Sequence, residues 1–143
     1  MAVGLSIKVE GANELSAQMQ SLSNNISNFR LPLNKASDLL LETFDRNFDS
    51  KGATLGEPWA KRKKSYPWQI LQKTGKMRKS FTKKVSKVQS VLSNKSEYFK
   101  FHQSNKSRKK LPRRVMMKID LTRQKKILEI FTKWLNKISP LFK

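Results

Sequence analysis

Residues 81–93, FTKKVSKVQSVLS, decide between two folds. Phe81, Val85, Val88 and Leu92 recur at helical spacing, which would continue the helix that precedes them. Residues 87–93 also read as a β-branched strand. The pattern leaves strand and helix both open over 85–93. We take the strand, which makes the chain α+β.

Working back from that stretch, Thr74 is a good N-cap for a third helix, with Met77 and Phe81 facing inward and Lys76, Arg78, Lys79, Lys83 and Lys84 facing out. Before it, residues 50–69 read as a long loop broken by Gly52, Gly56, Pro58 and Pro67. The loop carries Trp59, Tyr66 and Trp68 among Lys61, Arg62, Lys63 and Lys64, and two tryptophans in one loop argue for docking. A second helix runs from Pro32 to about residue 49, with Ala36, Leu39, Leu40, Phe44 and Phe48 on its apolar face and Asp38, Glu42, Asp45 and Asp49 on another. A first helix is expected over 12–29, where Leu15, Met19, Leu22, Ile26 and Phe29 draw an apolar stripe that suits a core or a helix–helix seam. Leu5, Ile7 and Val9 alternate with polar residues as a short strand ended by Gly11.

Working forward, Tyr98, Phe99 and Phe101 precede a very basic loop from Asn105 to Arg114. Residues 115–119 read as a short apolar strand. Asp120 caps a last helix with Ile127, Leu128, Phe131, Leu135 and Ile138 on one side, ended by Pro140. The expected architecture is a small sheet of a few short strands with three to four helices packed against it, in one domain over 1–143.

Charge is divided along the chain. Residues 1–60 hold five Lys/Arg and seven Asp/Glu, a net of −2, and residues 61–143 hold 26 and three, a net of +23. Such an excess points to an anionic partner or to a lysine-rich solvated surface. Lysine outnumbers arginine, against a dedicated bidentate phosphate reader. Apolar residues make up 37%, low enough to expect some exposed or partner-ordered segments. The absence of cysteine removes disulfides, thiolate metal sites and cysteine nucleophiles. We expect no signal peptide, no membrane span and no membrane partner.

His102 is the one histidine, so a histidine-based metal site is out of reach, and a structural role near a turn is expected. The acids at 38, 42, 45 and 49 share one side of a helix. A two-metal nuclease is conceivable there. An outer face paired with the basic half of this chain, or of a neighbour, is the preferred reading. No phosphate-cradling loop, dinucleotide fingerprint or zinc spacing is present, and no cofactor is expected.

Three segments in order carry a resemblance: Phe48–Trp59, FDSKGATLGEPW; Ile70–Phe81, ILQKTGKMRKSF; and Tyr98–Asp120, with YFKFHQ, a basic loop and LPRRVMMKID. The order resembles the phage virion morphogenesis family, the tail-completion proteins of Mu-like and P2-like phages. Their pattern runs G-x-x-W, then L-x-x-T-G-x-L-x-x-S-[IF], then Y-A-x-x-H-Q-x-G, then P-A-R-P-[FW]-L and a closing helix. Gly56 and Trp59 match the first; Leu71, Thr74, Gly75, Ser80 and Phe81 the second; Tyr98, His102 and Gln103 the third; Pro112 and Arg114 the fourth. Phe99 replaces the alanine after the tyrosine, the glycine after His-Gln is missing, Val115 replaces the second proline, and Met77 stands for leucine.

The resemblance covers about residues 45–138. It implies a non-catalytic virion part: a tail terminator or adjacent neck ring at the head-proximal end of the tail, enabling head–tail joining. It implies a homo-oligomeric ring, expected to be a hexamer, with tail-tube and neck or connector proteins as partners, assembled in the host cytoplasm and located in the virion. Nonspecific contact with DNA in the lumen is a further expectation. The expected interface residues are Trp59, Lys61, Arg62, Tyr66, Trp68, Arg108, Lys109, Lys110, Arg113 and Arg114. A ring needs head-to-tail contacts, and acidic and basic halves of one chain suit them. The alternative is a nucleic-acid-binding protein using residues 61–84 and 105–126.

Overall fold

The structure, a computed structural model, describes residues 3–8, 27–106 and 111–138. The stripe expected over 12–29, the end of the first strand at Val9, the helix stop at Pro140, and Arg108, Lys109 and Lys110 fall wholly or mostly outside them. The central element is α1, Arg30–Asp49. Its start has no side-chain cap on Phe29, but Asn28 Oδ1 accepts from Arg30 N at 3.1 Å, and Pro32 sits in the first turn, where a missing N–H leaves no bond unmade. Leu33, Ala36, Leu40, Phe44 and Phe48 repeat at spacings of three and four and are buried. Each large member contributes about 1.5–3 kcal/mol by leaving water. The helix stops where Lys51 (φ 51°) and Gly52 (φ 92°) turn left-handed.

Three strands form one antiparallel sheet in the order β1–β3–β2: β1 is Val3–Lys8, β2 Phe81–Val85 and β3 Gln89–Asn94. Register places Leu92 opposite both Leu5 and Lys83. The strand expected over 87–93 is therefore present, and the helical spacing Phe81–Val85–Val88–Leu92 is spurious. Phe81 and Val85 lie on the β2 arm of a hairpin whose turn is closed by Ser86 N donating to Gln89 O at 2.7 Å. The third helix, α2, is correspondingly only Lys76–Lys79. Phe81 is inward as expected, but from a strand: it packs against Phe44, Phe48 and Phe99 at ring distances of 5.7, 6.3 and 5.8 Å.

In β3 burial alternates, with Ser90, Leu92 and Asn94 buried. The two polar members have partners there. Ser90 Oγ meets Ser37 Oγ at 2.5 Å, and Asn94 donates to Met77 O and accepts from Ser96 N. The opposite face is polar, with Thr82 Oγ1 on Ser93 Oγ and Gln89 Nε2 donating to Ser6 Oγ.

The last helices are α3, Phe99–Gln103, and α4, Leu121–Ile138. Asp120 caps α4 as expected, accepting from Arg123 N at 2.9 Å. The buried side of α4 is rotated from the expected one. Ile127, Ile130, Phe131, Trp134 and Ile138 pack on the core, while Leu128 is 66% exposed. Trp134 and Phe131 set that rotation by closing on Phe29, at ring distances of 5.3 and 6.1 Å.

Residues 115–119 are not a strand. Val115, Met116 and Met117 are buried, which gives the apolar run, but their backbone groups meet side chains rather than a neighbouring strand. Gln103 Oε1 accepts from Met116 N and Met117 N at 2.8 and 3.1 Å, and its Nε2 donates to Met117 O at 2.7 Å. Val115 O accepts from Asn47 Nδ2 at 3.0 Å and Trp59 Nε1 at 2.9 Å. The fold is thus α+β: one small sheet, with α1 between the sheet and α4.

Candidate functional site

The acidic side of α1 is consumed within the chain. Arg78, projecting from α2, forks onto two carboxylates: its Nε and Nη2 reach Asp45 at 2.7 and 2.8 Å, and its Nη1 and Nη2 reach Asp49 at 2.7 and 3.0 Å. The guanidinium also stands 5.9 Å over the Phe48 ring. Hydrogen bonding from Arg78 holds the Asp45 carboxyl below the usual range, and both carboxylates push the arginine up. Lys83 bonds Asp38, and Arg46 bonds Glu42 one turn away. The acid line is therefore an outer face, paired at Asp38, Asp45 and Asp49 with the basic half of its own chain and at Glu42 with Arg46 of the same helix. Among the described residues no group of His, Asp or Glu is arranged to hold a metal ion.

The loop after α1 is built around Gly52. A Cβ there would lie 2.2 Å from Glu57 O and 2.5 Å from Trp59 Cδ1, so both the left-handed turn and the close return of the chain require glycine. Asn47 fastens the same corner, accepting from Leu55 N at 3.1 Å while donating to Val115 O. The sequence marks Gly52 as a loop breaker, without its close approach to Glu57 and Trp59, and gives Asn47 no role. The signal for Asn47 was a lone amide on the apolar face between Phe44 and Phe48.

This corner corrects two expected interface residues. Trp59 is 6% exposed and packs edge-on against Phe48 at 5.3 Å. It is a core residue because its indole N–H finds a buried carbonyl. Arg114 is also 6% exposed: its guanidinium donates to Ala60 O, and burial together with the nearby Arg62 charge lowers its pKa. Arg113 remains on the surface and pairs with Glu57 at 3.3 Å.

The motif residues are structural in the same sense. Gly56 and Gly75 take left-handed conformations at φ 74° and 70°. Gly75, rather than Thr74, is the cap residue of α2, and Thr74 Oγ1 accepts from Lys76 N at 3.3 Å. Ser80 Oγ donates back to Lys76 O. His102 is buried in α3, and its carbonyl accepts from Arg114 N at 2.9 Å. Pro112 is exposed at the entry to the segment held by Gln103.

What reaches solvent is the far end of the loop. Tyr66, 43% exposed, stacks on Trp68 at 4.9 Å and 25°. Arg62 lies 5.3 Å over the Tyr66 ring and Lys73 5.0 Å over the Trp68 ring. Lys61, Lys63 and Lys64 are exposed beside them. Beyond Trp68 a cleft of about 390 Å³ opens toward Tyr98, which is 64% exposed. The result is a ledge of cations and aromatic edges beside an apolar hollow, suited to contact with another macromolecule.

A family model described as the phage virion morphogenesis family matches residues 11–136. No curated protein and no solved structure matches the chain.

Proposed function

The chain belongs to the phage virion morphogenesis family, and on that premise we propose that it is a non-catalytic tail-completion protein, acting as a terminator or adjacent neck ring where the tail meets the head. A role in phage assembly follows from the family. The finer reading rests on one structural observation: the motif residues of this chain hold its framework together, and the groups left at the surface are cations and aromatic edges. Gln103, Trp59 and Gly75 position backbone, and the four acids of α1 are spent on Arg78, Lys83 and Arg46. Such a molecule works by what docks on it.

The ring reading needs contacts between copies, expected to number six. The charge pattern bears on which surfaces make them. Since the acids of α1 are paired internally, contact between copies falls to apolar surface such as Leu121 and Leu128 on α4, both exposed. Light scattering after size exclusion, with and without tail-tube protein, is the test. A closed ring is the expected result, and a strict monomer in both conditions overturns it.

The excess of exposed lysine over residues 61–84 favours a second reading, nucleic-acid binding. Micromolar or tighter DNA binding at physiological salt that falls steeply as salt rises would support it.

A further inference from the structure

We infer that the cleft between Trp68 and Tyr98 docks an acidic segment of another virion protein, anchored by one apolar side chain; this rests on the assembly reading above. The hollow is walled by Trp68, Leu71, Met77 and Tyr98, with Lys73 and Lys76 at its lip. Its volume lies at the low end of the range for ligand pockets, about 300–1,000 Å³, and suits one large side chain of an extended segment rather than a whole helix. Neither lysine joins an ion pair among the described residues, and both are exposed. An apolar anchor flanked by carboxylates therefore satisfies wall and lip together.

Among the described residues, charge speaks against a second copy as occupant. Asp38, Glu42, Asp45, Asp49, Glu57 and Asp120 each meet a cation of their own chain. Among the described acids that leaves Glu97 and Glu129, on separate parts of the fold. The described surface has no acidic face to offer this ledge. Stacking decides against nucleic acid. The Tyr66 and Trp68 rings lie against each other with a cation over each, which leaves exposed Tyr98 as a single ring at the cleft rather than the series on which successive bases stack.

The test uses fluorescence polarisation with a labelled peptide in which one phenylalanine sits among glutamates, the same peptide with serine for phenylalanine, and single-stranded oligothymidine. The full-length protein should bind the first peptide about tenfold or more tightly than the second, and Tyr98→Ala should remove most of that preference. Changing Lys73→Gln and Lys76→Gln together, at positions where folding is not at stake, should weaken the first peptide and flatten its salt dependence. Equal binding of the two peptides, no binding, or oligothymidine binding that alone responds to Tyr98→Ala overturns the assignment. Ring formation is read in parallel. A ring without peptide preference overturns the cleft and leaves the assembly reading standing; peptide preference without a ring supports the cleft and removes the ring.

Discussion

Trp59 and Trp68 belong to one loop and meet opposite fates. Trp59 turns inward, packs on Phe48 and gives its indole N–H to Val115 O. Trp68 stays at the surface between Tyr66 and Lys73. A buried indole needs an acceptor for its one donor, and the first tryptophan has a buried carbonyl waiting, left open to side-chain donors because residues 115–117 join no strand. The loop thus divides at about residue 60 into an end that holds the fold and an end that faces solvent.

Substitutions along the loop should follow that division. Trp59→Ala removes a packed aromatic and leaves Val115 O with one donor fewer, and should destabilise by about 3–5 kcal/mol, read as a shift in the urea midpoint. Gly52→Ala should follow, at about 2 kcal/mol or more, because the turn is left-handed and the added methyl meets Glu57 O. Arg78→Gln should cost about 1 kcal/mol at neutral pH, small because Asp45 and Asp49 are more than half exposed. Asp45, whose carboxyl is lowered in the fold, contributes stability that is present above its unfolded value and lost as pH falls through the folded one. Wild-type stability should therefore drop on acidification below about pH 4, and Arg78→Gln should flatten that drop. Trp68→Ala should come last, under about 1 kcal/mol, while altering docking at the neighbouring cleft. A Trp68→Ala as damaging as Trp59→Ala would erase the division.

Much of the fold was legible because single elements carry their own periodicity. α1 shows it from Leu33 to Phe48, whereas β3, with Val91 as its one β-branched residue and Ser90 and Asn94 on its buried side, left strand and helix both open. What failed depended on partners distant in sequence. Phe81 and Val85 mimic a helix because both arms of a hairpin serve one core. Residues 115–119 mimic a strand because burial makes them apolar, while Gln103 and Asn47 do the pairing. Leu128 and Ile130 are equally apolar, and only Trp134 closing on Phe29 decides which is covered. The fates of the loop aromatics were least legible, since nothing in the local sequence separates a tryptophan that anchors the core from one that stays at the surface.

The Gln103 clamp has a kinetic consequence. In a sheet, amides such as those of Met116 and Met117 exchange their hydrogens with solvent only when a ladder opens. Here both hang on one side-chain oxygen, so a single turn of the Gln103 side chain releases them together. Their exchange should be correlated and faster than that of the Leu92 amide in the central strand, marking residues 115–117 as the part of the buried interior that opens first.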